Sequence, residues 1–528
     1  MSSLAPLLAL AAPLSFAAAA AVAATQPGRR PVRALAAGEL ASVAALCASV
    51  LAVLVLLVGG APVDATLALP VHLDALSATM LLLVSFLGTV IVRFSRNYLD
   101  GDGRQGLFTA WLSLTLAAIA TLVIAGNLIL LVGAWIGTSL ALHKLLAFYP
   151  ERRLAFAAAG KKFITARIGD VCLIGAAVLL YLAFGSTEIA VILNAAETGG
   201  AAGGAAGGAG LVTAAGLLIA LAALLKSAQF PTHGWLLEVM ETPTPVSALL
   251  HAGIVNAGGF LVLRFADVMV LATGALGLLA VVGAVTALIG SAVMLRQTSV
   301  KVSLAWSTVA QMGFMLVQCG FGAFWLAALH IVAHSLYKAH AFLASGSAVD
   351  LARVAGPAGA FAGSASAPSF RTFVAALIVA LAAAFALATV AGLSPVEDAS
   401  ELALGAILVM ALAILVTRQS SVRPGAPLIL KSALLGGGVT AAYLALHAGS
   451  AWVMGAALPA PPVPGPVGLF LQASIVLGFL ALTVAQVCGR LGGAAPAGFA
   501  VHLANGFYAN AWFDRIVGSY RLTGNGSR

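Results

Sequence analysis

Apolar runs of about 18 residues or more recur from one end of this sequence to the other. Lipid offers no water to a backbone N–H or C=O, so each run must close its hydrogen bonds internally, as a helix. The expected spans cover residues 4–24, 38–60, 73–92, 107–124, 127–148, 163–183, 211–229, 245–265, 271–295, 303–320, 323–348, 371–391, 402–417, 431–450 and 467–488. The fold class is therefore all-α, a polytopic membrane protein of about 14–15 transmembrane helices. Composition agrees: 62% of the 528 residues are hydrophobic and 8% are charged. A soluble domain carries about 25% charged residues, so a globular enzyme is excluded. The first run has no basic residue ahead of it, and Arg29, Arg30 and Arg33 follow it. That is the reverse of a secretory signal, so it counts as a span.

A net charge of +9 would point a soluble protein toward nucleic acid. Here its distribution points to a bilayer, and no nucleic-acid partner is expected. Alternate connections hold Arg29, Arg30 and Arg33; Arg93, Arg96 and Arg104; Arg152, Arg153, Lys161 and Lys162; Arg296 and Lys301; Arg353 and Arg371; Arg418, Arg423 and Lys431. The opposite connections hold Asp64, Asp74, Glu188, Glu197, Asp267, Glu397, Asp398 and Glu401, with no lysine or arginine. By the positive-inside rule the basic side is cytoplasmic. This gives a multi-pass protein of a bacterial inner membrane, N-terminus periplasmic and C-terminus cytoplasmic. Cys47, Cys172, Cys319 and Cys488 stand singly without C-x-x-C spacing. They are expected to pack as small hydrophobes rather than to ligate a cluster or zinc.

Four basic residues fall outside the cytoplasmic set: Lys144, Lys226, Arg264 and Lys338. Arg264 lies three residues from Asp267 and is expected to pair there or snorkel outward. A central lysine costs roughly 2.5–3.5 kcal/mol in a membrane helix. Low dielectric also disfavours the charged form, so a membrane lysine is a candidate proton relay. Lys226 is set against the alternative of snorkelling. His330, His334 and Lys338 recur at i, i+4 and i+8, on one helix face. Histidine titrates near neutrality, which makes that face a candidate proton wire. A zinc site would need a third ligand, and no H-E-x-x-H occurs, so no metal is expected. His340 lies off that face and is read as structural. His251 continues the path from Lys226, or is simply bonded to backbone. Lys144, with His143, sits near a helix end, where relay and snorkelling are equally open. Arg167 and Asp170, three apart, form either a structural pair or an entry to the path.

Proline marks the breaks. Lys226-Ser-Ala-Gln-Phe-Pro231 runs into Glu241-Thr-Pro-Thr-Pro245, so Pro231, Pro243 and Pro245 are expected to interrupt helices near the membrane. Pro395, in Gly392-Leu-Ser-Pro395, is a second expected interruption. Breaks in both halves point to inverted repeats. Gly199 to Gly210 reads as a flexible external linker, and Pro459 to Pro466 as a stiffer external loop. The tail from Gly489 mixes aromatic and charged residues, suited to the membrane surface or to a cytoplasmic partner.

Three stretches carry a resemblance. They are Lys226-Ser-Ala-Gln-Phe-Pro through Trp235 to Thr242-Pro-Thr-Pro-Val-Ser-Ala-Leu-Leu-His251, Lys301 to Gly313, and His334 to Ser347. Together they resemble the antiporter-like membrane subunits, over roughly residues 73–350. That family includes the large distal subunit of respiratory complex I, the multi-subunit sodium/proton antiporters and the membrane subunit of DAB-type inorganic carbon pumps. The resemblance implies an antiporter-like inverted-repeat fold with Lys226 as relay lysine, His251 as linking histidine, and His330, His334 and Lys338 on the central polar axis. It also implies four regions: N-terminal transmembrane helices (1–106), a conducting core (107–420), C-terminal transmembrane helices (421–490) and a cytoplasmic tail (491–528). Two departures stand out. Ile136 occupies the place of the glutamate that follows the tryptophan of the fifth helix, and the lysine of the twelfth helix is missing around Ser394-Pro395-Val396-Glu397. The long lateral helix of the complex I subunit is also expected to be absent. Leu142-His-Lys-Leu-Leu146, Lys161 to Asp170 and Asn505-Gly-Phe-Tyr508 resemble the DAB-type subunit.

The resemblance implies a transport subunit, with no catalysis and no cofactor in this chain. It would conduct H⁺ or Na⁺ through the lipid bilayer to drive a DabA-like zinc protein, similar to β-type carbonic anhydrases, which holds the zinc. The alternatives are a proton-translocating distal subunit of NADH-quinone oxidoreductase, a cation/proton antiporter, and a purely structural anchor. Lys226 and Lys338 argue against the anchor.

Overall fold

A computed structural model gives the structure and describes residues 4–60, 62–66, 69–199, 206–347, 370–419, 426–491 and 496–517. The long helices are α1 (Leu4–Ala24), α2 (Val32–Gly59), α3 (Ala75–Tyr98), α4 (Gln105–Ile124), α5 (Leu128–Leu146), α6 (Arg153–Phe184) and α8 (Ala206–Lys226). After the break region come α13 (Thr273–Met294), α14 (Val300–Gly320), α15 (Phe324–Leu343), α16 (Phe370–Val390), α17 (Ala399–Gln419), α18 (Ala426–Met454) and α19 (Pro466–Val487). Fourteen spans among the described residues are long and apolar enough to cross a membrane. The helix α15 is not among them, because three histidines and a lysine dilute it. Its 20 residues still reach about 30 Å, the thickness of the hydrocarbon core.

The centre of the bundle is an interrupted span. Residues Thr244–Arg264 are nearly all buried and comprise α10 (Thr244–Ala252), a 3₁₀ turn at Ile254–Asn256 and α11 (Ala257–Arg264). Before it, α8 ends at Lys226, where Ala228 takes a left-handed backbone (φ 50°). The Gln229 N–H donates back to Leu224 O, as at a left-handed helix cap. Pro231 lies in the turn that follows, then α9 (Gly234–Glu238). Pro243 precedes α10 and Pro245 sits in its first turn, where a missing N–H costs nothing. Pro395 behaves differently from expectation. It lies in the turn joining α16 to α17, between two helices rather than inside one.

Short elements fill the connections. On the acidic-connection face, β1 (Val63–Thr66) and β2 (Pro70–Leu73) pair antiparallel, with Asp64 opposite His72. The helices α7 (Ile189–Glu197) and α12 (Ala266–Leu271) pack together on that face. On the basic-connection face, α20 (Ala497–Ala504) and α21 (Ala509–Val517) fold back; α20 packs on α13 and α21 on α9. Asp514 and Glu238 both pair with Lys161. One apolar core runs from Ala5 to Leu503. Cys319 is buried within it and Cys172 is half-buried, but Cys47 and Cys488 are exposed. Of the Gly199–Gly210 linker, residues 200–205 lie outside the described residues, as do Arg353 and Arg423.

Candidate ion-path residues

The expected residues gather into two buried clusters. The first lies where α8 breaks. Lys226 is buried, with its Nζ 4.1 Å from the centre of the Trp135 ring on α5. It makes no hydrogen bond among the described residues. Arg167 and Asp170, one turn apart on α6, form an ion pair at 2.7 Å. Asp170 is close enough for its charge to act on Lys226. Ile136 is only half-buried among apolar side chains. The carboxylate beside Lys226 therefore comes from α6, not from α5.

This cluster contains a lysine the sequence assigned to a cytoplasmic connection. The helix α6 starts at Arg153 rather than near residue 163, so Lys161 and Lys162 are both buried in it. Their partners differ. Lys161 Nζ donates to Glu238 Oε1 at 2.6 Å and pairs with Asp514. Lys162 Nζ donates only to the backbone and hydroxyl oxygens of Ser139, at 2.9 and 2.8 Å. The charges of Lys226, Arg167 and Asp170 all act on it. His143, a turn beyond Ser139, lies tilted against Phe163, with ring centroids 5.2 Å apart. Lys144 is exposed and does not join the cluster, because it projects from the opposite side of the last turn of α5.

The second cluster lies between α10, α14 and α15. His251 is fully buried, its ring stacked 4.3 Å from Phe342. Its Nδ1 lies 3.1 Å from Thr308 Oγ1, and the Thr308 hydroxyl donates to Leu304 O. With that proton committed, Oγ1 accepts, so His251 carries its proton on Nδ1. His251 Nε2 is then a buried acceptor without a donor. Lys338, fully buried, donates to the same Leu304 carbonyl at 3.1 Å. His334 Nε2 donates to His251 O at 3.3 Å. The rings of His330 and His334 are 5.9 Å apart, and His330 Nδ1 meets Gln318 Oε1 at 2.9 Å. The i, i+4, i+8 ladder thus faces the interior, while His340 is exposed. Among the described residues, no hydrogen bond joins the two clusters.

Arg264 departs from its expected partner. It bonds not to Asp267 but to Asp74, at 2.7 and 3.1 Å, and to Ser77. The two partners are 190 residues apart in sequence, so no local spacing announces them.

Comparison with known proteins places this geometry. Residues 125–393 match the family described as NADH:quinone oxidoreductase/Mrp antiporter, TM. Residues 62–109 match the one described as NADH-Ubiquinone oxidoreductase (complex I), chain 5 N-terminus. The "Probable inorganic carbon transporter subunit DabB2" of Halothiobacillus neapolitanus is 39% identical over 468 residues, 85% of this chain and 80% of that protein. The "Probable inorganic carbon transporter subunit DabB" of Hydrogenovibrio crunogenus is 47% identical over 281 residues, 53% of each chain. "NADH-quinone oxidoreductase subunit L" of Mycobacterium tuberculosis is 36% identical over 294 residues, 55% of this chain and 44% of that one. The chain thus spans about half the length of two of these relatives and four-fifths of the other. Among solved structures, one of the Mrp complex from Dietzia sp. DQ12-45-1b aligns with a TM-score of 0.62 at 24% identity. The match covers 98% of this chain and 60% of that one. The fold is antiporter-like.

Proposed function

The chain belongs to the NADH:quinone oxidoreductase/Mrp antiporter membrane-subunit family, and from that premise we propose that it is the membrane subunit of an energy-coupled inorganic carbon pump. In this reading it conducts H⁺ or Na⁺ down a gradient and passes the energy to a cytoplasmic, DabA-like zinc protein. That partner hydrates carbon dioxide; this chain performs no catalysis. The relatives named as DabB and DabB2 support the carbon-pump branch.

The observation that carries conduction is the second cluster. A fully buried lysine and three imidazoles gather there on α10 and α15, and His251 Nε2 is an acceptor with no donor among the described residues. A structural core has no use for this set, since each group costs energy to bury and apolar side chains would fill the space without that cost. A proton reaching Nε2 makes His251 doubly protonated. It can leave by the Nδ1 side, toward Thr308 on α14, or repel the charge on Lys338 on α15. Water must bridge from Lys226, because no hydrogen bond between described residues spans that gap. In the same reading the basic connections face the cytoplasm and the acidic ones the periplasm of an inner membrane.

The test is co-expression with the zinc partner in a carbonic-anhydrase-deficient bacterium grown at air levels of carbon dioxide. Lys226→Ala and Lys338→Ala should each abolish growth while the complex still assembles. Full growth of both variants refutes the conducting role. The 36% identity to the M. tuberculosis subunit L supports one alternative, a distal proton-translocating subunit of NADH-quinone oxidoreductase. In that case growth would not depend on the zinc partner.

A further inference from the structure

Between the second cluster and the acidic-connection face lies a set of buried polar groups, interrupted at Phe260, that conduction, as described above, does not use. At its outer end Asp64 on β1 is 54% exposed. Its Oδ1 lies 2.7 Å from His72 Nδ1, and His72 Nε2 lies 3.3 Å from Asp74 Oδ2. Asp74 caps α3, accepting from Ser77 N–H, and takes two bonds from Arg264 on α11. His72, Asp74 and Arg264 are all buried. Among the described residues, α1 and α4, which also pack on β2, add no titratable group beside His72. The Arg264 guanidinium lies 5.6 Å from the centre of the Phe260 ring. Phe260, Asn256 and Ser335 line a cavity of about 40 Å³, room for at least one water. Asn256 donates to Ser335 Oγ at 2.8 Å, next to His334, while its buried Oδ1 has no partner.

We propose that Asp64, His72 and Asp74 form a proton-exchange port between the acidic-connection face and the His334 end of the second cluster, with Phe260 as its closure. The inference rests on the conducting role proposed above. One imidazole set between two carboxylates passes a proton by changing tautomer, from Nε2–H to Nδ1–H, and turning the ring or returning a proton resets it. An O–H bond on Asp64 breaks as N–H forms at Nδ1; the Nε2–H bond breaks as O–H forms on Asp74. Arg264 keeps its charge throughout, holding Asp74 in place and making a proton on that carboxylate short-lived. Rotation of Phe260 would then join Asp74 to the cavity, where a water bonded to the free Asn256 oxygen completes the branch. The buried orphan oxygen and the exposed outer acid are independent observations, and both lie on this one line.

The experiment uses the chain in its complex, in sealed vesicles of known orientation loaded with a pH-sensitive dye. His72→Ala should lower proton flux at least about tenfold, the scale of a lost positioned proton carrier. Imidazole added on the acidic-connection side should restore it, and imidazole on the other side should not. An unchanged flux, or a loss that imidazole rescues from neither side or equally from both, overturns the port. If His72→Ala does not assemble, Asp64→Asn serves, because it alters only the exposed acid. It should lower flux and shift its dependence on pH at that face, and an unchanged profile overturns the port. Lys226→Ala, measured alongside, separates the two ideas. If it retains full flux, the conducting role fails; if it alone loses flux, only the port fails.

Discussion

Around Lys226 three cations, Lys162, Lys226 and Arg167, share one carboxylate, Asp170. Around Lys338 the described residues provide imidazoles, a glutamine and backbone carbonyls, and no carboxylate at all. The difference sets what each cluster can do with an extra proton. In the first, one anion balances one cation, and the remaining charge depends on how many protons the two lysines hold. In the second, every arriving proton adds a full uncompensated charge. The first cluster is suited to loading and the second to passing charge on, because an unbalanced buried charge leaves toward the best solvated exit.

The largest test of that contrast is on stability. Asp170→Asn strips the first cluster of its anion and leaves buried cations unopposed. It should cost about 3–5 kcal/mol, the scale for breaking a buried pair. Lys338→Met removes a lone buried charge and should leave stability equal or higher, although conduction is lost. Thermal unfolding of both variants in nanodiscs measures the difference. If Asp170→Asn unfolds at the wild-type temperature, the two clusters are not built on different charge plans.

Neighbouring lysines sharpen the comparison inside the first cluster. Lys162→Met should keep the fold, since it removes one of three crowded cations, and should lower flux by about a hundredfold if that cation helps load Lys226. Lys161→Met should do the reverse. It removes the ammonium that Glu238 and Asp514 share and leaves the Asn510–Glu238 bond in place, so α21 should loosen rather than detach. Limited proteolysis of residues 496–517 reports that loosening, and vesicle flux reports the other. Equal effects of the two substitutions on both measurements would mean that the pair acts as one basic patch.

That last outcome is how the sequence reads. Lys161 and Lys162 follow Arg152 and Arg153, and the positive-inside pattern absorbs all four into one connection. Hydropathy places α6 late, because Arg153, Lys161 and Lys162 dilute its first turns even though the buried side of the helix begins there. Spans such as α1 and α13 were legible because nothing charged interrupts their apolar runs. The ladder His330, His334, Lys338 was legible because 3.6-residue periodicity fixes a face. Pairings between distant segments carry no such signal. Asp74 with Arg264 and Lys161 with Asp514 form only when helices far apart in sequence pack together. The free Nε2 of His251 needs Thr308 from another helix before its tautomer can be assigned.

The smallest expected effect asks whether the acidic-connection face communicates with the second cluster alone. His72 lies outside the spans. Burial alone would lower its pKa, but the hydrogen bonds to Asp64 and Asp74 outweigh that and leave it above the ordinary 6.5. A histidine raised in the folded state contributes its full stabilisation below the unfolded value and loses it as pH rises through the folded one. The hairpin β1–β2 should therefore be tightest in mild acid and loosen above pH 6.5, by on the order of 1 kcal/mol given the exposed partner Asp64. Hydrogen exchange of residues 63–66 and 70–73, followed against pH, should show protection falling through that window and no fall in His72→Gln. The same pH step should alter exchange around Asn256 and Ser335 and leave the Ser139–Lys162 region unchanged. A response at Ser139 equal to that at Ser335 would mean that both clusters sense this face, and the asymmetry between them would be lost.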